Sequence, residues 1–133
     1  MDLDHDGSLE VVVTNLGAPP SLLKNFGPRK SWLLVRLRGT KCNRDAVGAR
    51  VFVHAGGRRV SNEAQTGSSY VSQNDPRLHF GLGDDARYER IEVAWPGGGR
   101  EVFPAGAANR IVVLEQGTGT PATSPRPSAS PRP

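Results

Sequence analysis

Short segments in which apolar and polar residues alternate, separated by glycine and proline, are the feature that most constrains how this chain can fold. No stretch long enough for an amphipathic helix shows the helical apolar period of about 3.6 residues, whereas glycine (16 residues) and proline (11 residues) are abundant. In the run from Trp32 to Arg38, alternate side chains are expected to face the core and the solvent. The expected inner face is Leu33, Val35 and Leu37, and the expected outer face is Leu34, Arg36 and Arg38.

Further short strands follow this run at regular intervals. The Gly56-Gly57 pair between two such runs predicts a hairpin turn, because glycine readily adopts positive φ. The other strands are expected at residues 49–53, 58–64, 77–80, 91–95, 100–103 and 110–114. This pattern is typical of an all-β fold, and we predict an antiparallel β-sandwich or barrel-like domain over residues 29–115.

The first ten residues, MDLDHDGSLE, form an acidic loop. Carboxylates at alternate positions, then a glycine and a fourth carboxylate, have the spacing of a calcium loop, because hard cations need several oxygens that converge on one point. The expected calcium ligands are the side chains of Asp2, Asp4, Asp6 and Glu10, together with a main-chain carbonyl near Ser8. An acidic surface turn without an ion is the alternative.

This loop does not have the pattern of an EF-hand. Counted from Asp2, the twelfth position is Val13, where an EF-hand would need a bidentate acid. The β-branched run at residues 10–14 predicts a strand where an EF-hand would have a helix. We therefore expect a loop that leads into a strand, followed by a turn at residues 17–20.

The two ends of the chain differ from its centre. Residues 1–28 cannot bury a core alone, and we interpret them as the closing piece of an upstream repeat, so that the chain would be the C-terminal part of a longer protein. Residues 116–133 are rich in proline, serine and threonine. Because this segment has few apolar side chains to offset its ordering entropy, we predict a disordered tail.

The charge and the single cysteine exclude some classes of function. The formal net charge is +4, but the basic residues are spread along the chain, whereas a nucleic-acid surface would cluster them with exposed aromatics. No nucleic-acid partner is therefore expected, and a polyanionic glycan fits a secreted module somewhat better. Cys42 cannot form an internal disulfide, and no apolar run is long enough to span a membrane. The acidic N-terminus lacks a secretion signal, which does not show a cytoplasmic location if the chain is truncated.

Three segments carry a resemblance to a known family. GTKCNRDAVGARV at residues 39–51, SYVSQNDPRLHFGLG at residues 69–83 and VAWPGG at residues 93–98 resemble the recurring segments of the ASPIC/UnbV domain, in the same order. The chain through Asn25 resembles the end of an FG-GAP/VCBS repeat, the blade unit of integrin-like propellers. The two occur together in the cartilage acidic protein-like family and in many bacterial exported proteins. The resemblance implies calcium in the acidic loop, upstream propeller repeats as partners, and an extracellular, cell-surface or periplasmic location.

Two polar loops within the resembling segments are candidate sites. They contain turn-forming and charged residues just before predicted strands. The candidate residues are Asn43, Arg44 and Asp45 in the first loop, and Gln73, Asp75 and Arg77 in the second. We favour a structural role, as a buried polar network between the loops, over a ligand-binding role at the same residues.

No catalytic residues are predicted. His5, His54 and His79 are the only histidines, and no motif places a serine or a carboxylate beside one of them to form a catalytic arrangement. The first function hypothesis is a non-catalytic extracellular module that binds a protein or carbohydrate and belongs to a calcium-stabilised adhesion protein. The second is an accessory or regulatory domain of a secreted enzyme whose catalytic part lies upstream.

Overall fold

The computed structural model describes residues 1–67 and 70–122, and these contain only strands, turns and loops. The strands are β1 (Val11–Asn15), β2 (Ala18–Leu23), β3 (Ser31–Arg38), β4 (Arg50–Ala55), β5 (Arg58–Glu63), β6 (Leu78–Gly83), β7 (Arg87–Tyr88), β8 (Arg90–Ala94), β9 (Arg100–Phe103), β10 (Gly106–Ala107), β11 (Arg110–Glu115) and β12 (Thr120–Pro121). The predicted all-β fold is confirmed.

Two sheets form a β-sandwich. One has three strands in the order β11-β3-β6, and the other has five in the order β12-β9-β8-β4-β5. The β1–β2 hairpin and the short β7–β10 ladder are separate two-stranded pairs. Every sheet in the described residues is open, so the sandwich alternative is the one that forms rather than a closed barrel.

One pair of strands in this mostly antiparallel sandwich is parallel, which the sequence did not predict. β11 runs parallel to β3, with Arg110 opposite Leu33 and Glu115 opposite Arg38. A parallel pair requires a long crossover connection. Here the chain between β3 and β11 supplies strands of the five-stranded sheet before it returns to pair with β3. This connection closes the sandwich around its core.

The core lies between the two larger sheets and follows the predicted alternation. Leu33 and Val35 of β3 face Val51 and Val53 of β4, and all four side chains are fully buried. Each such aliphatic side chain stabilises the fold by roughly 1.5–3 kcal/mol relative to an exposed one. The predicted Gly56-Gly57 turn is also present, with φ of 54° and 69° in the hairpin between β4 and β5.

Leu34 is a correction to the predicted faces of β3. It was expected to face solvent with Arg36, but it is 1% exposed. Trp32 is also buried, and neither residue belongs to the main core cluster. The N-terminal loop packs on this second face of β3, where Gly7 lies against the ring of Trp32. The outer face of the three-stranded sheet is thus partly buried by the N-terminal loop.

The described β-fold extends further toward the C-terminus than the sequence suggests. Residues 116–122, expected to be disordered, fold onto the domain, and Thr120 of β12 pairs with Val102 of β9. Gln116 is buried, and its side-chain oxygen accepts hydrogen bonds from the main-chain N–H groups of Thr40 and Lys41 at 3.2 and 2.8 Å. Residues 123–133 lie outside the described residues, so a disordered tail stays a prediction for them.

The β1–β2 hairpin is exposed along its whole length. Its turn is shorter than the predicted turn at residues 17–20, because Pro19 and Pro20 lie within β2. Large apolar side chains of the hairpin remain exposed, among them Val11 (55%), Leu22 (57%) and Leu23 (57%). These side chains form an uncovered apolar surface. An isolated two-stranded sheet is also only marginally stable in water.

Candidate metal site and adjoining loops

The acidic loop brings three of its four carboxylates together. One oxygen from each of Asp2, Asp4 and Glu10 lies within 4.8 Å of the others. Asp2 is 1% exposed and Glu10 is 3% exposed, whereas Asp4 is exposed. Buried ionised groups are costly unless they are paired or coordinate a metal, so two of these carboxylates need a compensating partner.

Main-chain hydrogen bonds close the loop and fix the position of these carboxylates. The N-terminal amine of Met1 donates to the main-chain oxygen of Glu10 at 2.9 Å, and the N–H of Glu10 donates to the oxygen of Met1 at 2.8 Å. The carboxylate of Asp2 accepts from the N–H groups of Asp6 and Gly7 at 3.2 and 3.1 Å. The loop therefore wraps around Asp2 and returns beside its own start.

Only one of the two carboxylate oxygens of Glu10 has a hydrogen-bond partner among the described residues. Its Oε2 accepts a hydrogen bond from the N–H of Leu3 at 3.0 Å. Its Oε1 is buried and has no hydrogen-bond partner among the described residues. An unsatisfied buried oxygen of a carboxylate is destabilising, and a hard cation placed among the three carboxylates would satisfy it. The donor set is therefore of the kind that calcium prefers.

Asp6 lies outside this group of three. Its carboxylate accepts hydrogen bonds from the N–H of Ser8 at 2.9 Å and from Nη2 of Arg29 at 2.7 Å. The main-chain hydrogen bond from Ser8 is the largest influence on Asp6 and, with Arg29, lowers the pKa of its carboxyl. The ligand roles of Asp6 and of the Ser8 carbonyl stay predictions.

A surface ion pair partly neutralises the exposed carboxylate of the loop. Nζ of Lys24 donates to Oδ2 of Asp4 at 2.7 Å, and about half of each side chain is exposed to solvent (43% and 45%). The hydrogen bond to Asp4 raises the pKa of Lys24. Exposed pairs of this kind contribute little to stability, so the pair leaves Asp4 available as a metal ligand.

Side chains of the β-domain (residues 29–115) contact main-chain oxygens of the acidic loop. Nε2 of His79 lies 3.0 Å from the main-chain oxygen of Gly7, and because a carbonyl only accepts, His79 carries a proton on Nε2. Nη2 of Arg77 donates to the main-chain oxygen of Asp2 at 3.3 Å. The backbone of the loop is thus bound to β6 and to the segment before it.

Asp75 and Arg77 form the ion pair that positions this contact. Both Nε and the main-chain N–H of Arg77 donate to Oδ1 of Asp75, at 3.0 and 2.9 Å, and the two side chains are largely buried. The hydrogen bond from Arg77 is the main cause of the lowered pKa of Asp75, and the same bond raises the pKa of Arg77. Both residues line a polar cleft of about 290 Å³ next to Met1 and Leu9.

The other loop residues do not form the buried network that the sequence suggested. Asn43, Arg44, Asp45 and Gln73 are exposed rather than buried. Asn43 instead closes its own loop: its Oδ1 accepts from the N–H of Val47 at 2.7 Å, and its Nδ2 donates to the oxygen of Val47 at 3.1 Å. This is an ordinary turn-stabilising role.

The three histidines have partners that do not suggest catalysis. His79 contacts Gly7, and Nδ1 of His5 lies 3.3 Å from Nη1 of Arg77. Nε2 of His54 lies 3.0 Å from Oε1 of Glu92 but forms no hydrogen bond among the described residues, and this contact is an ion pair only when His54 is protonated. In the part of the chain that the structure describes, no histidine side chain forms a hydrogen bond with a serine, threonine or cysteine side chain.

Comparison with known proteins gives a consistent result. A family profile described as ASPIC and UnbV matches residues 39–121. Cartilage acidic protein 1 of Xenopus tropicalis is 34% identical over 103 residues, which are 73% of this chain and 16% of that protein. Cartilage acidic protein 1 of Homo sapiens is 33% identical over 103 residues, which are 73% of this chain and 15% of that protein. The chain thus spans about a sixth of the length of these curated relatives.

The residues matched by the profile include both polar loops but not the acidic loop. The match begins at residue 39, so the FG-GAP/VCBS resemblance of the first residues stays a prediction. No helix within residues 1–67 and 70–122 has the length and apolar character to cross a membrane.

Proposed function

Because the chain belongs to the ASPIC/UnbV family, we propose that it is a non-catalytic extracellular binding module whose N-terminal loop binds one calcium ion. The observations that carry the calcium part are the convergence of Asp2, Asp4 and Glu10 and the buried Oε1 of Glu10, which has no hydrogen-bond partner among the described residues. Two of the three carboxylates are almost fully buried. A buried acidic cluster of this kind is better explained by a bound cation than by a solvated surface turn.

Calcium fits these residues better than other common metals. It takes six to eight oxygen ligands in flexible geometry, at about 2.3–2.6 Å, whereas zinc and copper sites usually include histidine or cysteine. Asp2, Asp4 and Glu10 would hold the ion, with the Ser8 carbonyl and water as further oxygens. When bound, calcium would supply the positive charge that the two buried carboxylates lack. It would not take part in chemistry on a substrate.

The proposed role of the ion is to fix the loop on the β-domain. The loop contacts the domain through Gly7 against Trp32 and through the carbonyl of Asp2, which accepts from Arg77. Since calcium and these contacts require the same loop conformation, binding of the ion stabilises the folded domain by mass action. The protein would therefore be a calcium-stabilised module.

The exposed β1–β2 hairpin supports a place within a larger assembly. Its uncovered apolar side chains, including Leu16 at the turn, need a partner surface. The predicted partner is a set of propeller repeats, which would add strands to the hairpin and cover these side chains. The relatives carry the word cartilage in their name, which supports an extracellular setting for the proposed binding or adhesion role.

Isothermal titration calorimetry with calcium chloride tests the metal site directly. We expect one site per chain with a dissociation constant of about 10⁻⁴ to 10⁻³ M, the range of extracellular calcium modules. Glu10→Gln and Asp2→Asn should each remove the binding heat, while the matched control Glu89→Gln, an exposed carboxylate on the β-domain, should bind like the wild type. Equal binding by Glu10→Gln and the wild type would overturn the proposal.

A further inference from the structure

The outward face of the five-stranded sheet carries an arginine cluster that the calcium site does not use. The pairing of β4 with β5 and β8 places Arg59 and Arg90 on either side of His54. One pair further along, Phe52 lies between Ser61 and Glu92. These side chains point away from the core, because their neighbours Val51 and Val53 point into it.

Two guanidinium groups of this face lie over one aromatic ring, and the nearer one is at stacking distance. Cζ of Arg59 lies 3.9 Å from the centroid of the Phe52 ring, and Cζ of Arg100 lies 5.8 Å from it. Neither arginine side chain has a hydrogen bond or ion pair in the described part of the chain. A stacked guanidinium keeps its N–H groups at the edge of its plane, so it loses little further freedom when it binds an anion. Arg59 is therefore an ordered donor, and neither Arg59 nor Arg100 has a hydrogen-bond acceptor among the described residues.

The remaining charges of the face do not cancel this excess. Arg50 pairs with Glu63 at 3.2 Å, and Arg90 pairs with Glu92 at 3.0 Å. Both arginines remain about half exposed or more, at 68% and 48%. The face thus presents four guanidinium groups against two carboxylates. Adjacent strands lie about 4.8 Å apart, so these groups form a compact cationic surface.

We propose that this surface, defined by Arg50, Arg59, Arg90 and Arg100 around Phe52, binds a sulfated polysaccharide. Guanidinium groups bind sulfate through paired, charge-assisted hydrogen bonds, and a chain with repeated sulfates can contact several strands at once. A single-stranded nucleic acid would need exposed aromatic rings for base stacking, but Arg59 and Arg100 already lie over the ring of Phe52. The proposal deepens the proposed function by naming its ligand class, and it does not depend on calcium.

Titration of the whole chain with a heparin octasaccharide tests this surface. The variant Arg59→Gln/Arg100→Gln should lose at least about tenfold in affinity, equivalent to about 1.4 kcal/mol. The matched control Arg36→Gln/Arg110→Gln removes the same charge from exposed arginines of the three-stranded sheet and should stay within about threefold of the wild type. Arg59→Lys/Arg100→Lys, which keeps the charge but loses the planar donors, should also weaken binding.

The competing outcomes are distinguished by the ligand and by calcium. The proposal predicts that desulfated heparin and a DNA duplex of equal charge bind at least about tenfold more weakly than heparin, and that chelator does not change the heparin affinity. Equal losses in the two double variants, stronger binding of the duplex or no binding of heparin would each overturn it. Calcium binding by the same samples would then show that the proposed metal site stands while the polysaccharide surface fails.

Discussion

Gly7 lies against the indole ring of Trp32, so that a Cβ atom added at Gly7 would overlap Cδ1 of that ring. Gly7 also has a φ of 87°, which disfavours any residue with a side chain. The positive φ of Gly7 therefore allows the turn of the acidic loop, and the absence of a side chain at Gly7 lets the loop approach β3. The loop and the β-domain are coupled at this contact.

Substitution of Gly7 tests this coupling. Gly7→Ala should lower the free energy of unfolding by roughly 2–4 kcal/mol, because it combines backbone strain with overlap against a buried ring. The matched control is Gly17→Ala, since Gly17 has a φ of 70° but no atom within 4 Å of an added Cβ. The control should cost only about 1 kcal/mol. Urea unfolding measures both, and equal losses would contradict the contact with Trp32.

Truncation of Leu34 tests the second buried face of β3. Leu34→Ala should cost about 2–5 kcal/mol, as expected for a buried leucine. Val113→Ala on the neighbouring β11 is the control, because Val113 is 56% exposed and should cost less than about 1 kcal/mol. Chemical denaturation of the two variants gives the comparison. A cost for Leu34→Ala as small as that of the control would restore the solvent-facing assignment.

Two truncations test where the tail begins. Removal of residues 123–133 should leave the unfolding midpoint unchanged. Removal of residues 116–133 should lower the stability by at least about 2 kcal/mol, because it removes β12 and leaves the N–H groups of Thr40 and Lys41 without the oxygen of Gln116. Differential scanning calorimetry measures both midpoints. Equal midpoints would mean that residues 116–122 contribute nothing to the fold.

The Asp75–Arg77 pair predicts a pH dependence of stability. The pKa of Asp75 is lowered below its ordinary value of 3.8 in the folded protein, chiefly by the hydrogen bond from Arg77. A depressed folded pKa gives stability that is present above the unfolded pKa and is lost as the pH falls through the folded value. Asp75→Asn should therefore cost roughly 1–2 kcal/mol near pH 6, and the gap should shrink below about pH 3.8.

Urea titrations of the wild type and Asp75→Asn across this pH range measure the gap. Asp45→Asn, at an exposed aspartate of the other polar loop, serves as the control and should change stability little at any pH. A gap between the wild type and Asp75→Asn that is constant from pH 6 to pH 3 would show that the carboxylate charge of Asp75 is not involved.

Local patterns predicted the parts of this structure that depend on neighbours in sequence. The alternation that buries Leu33 and exposes Arg36, and the Gly56-Gly57 turn, are properties of a few adjacent residues, and both are confirmed. Asp2, Asp4 and Glu10 lie close together, as the spacing of the acidic residues suggests, and their role as metal ligands stays a prediction.

The missed features depend on partners distant in the chain. Leu34 is buried because the loop containing Gly7 packs on that side of β3, and Gln116 is ordered because it binds Thr40, 76 residues earlier. No local pattern contains these contacts. The parallel pairing of β11 with β3 was missed for the same reason.

Thermal unfolding of the whole chain with calcium and with chelator tests the central claim most directly. At a calcium concentration about 100 times the dissociation constant, binding to the folded state adds about 2.7 kcal/mol, which should raise the midpoint of a domain of this size by about 10 °C. Glu10→Gln should show no such rise, while Glu89→Gln should show all of it. A calcium-independent midpoint in the wild type, or an equal rise in Glu10→Gln, would contradict a metal-stabilised loop.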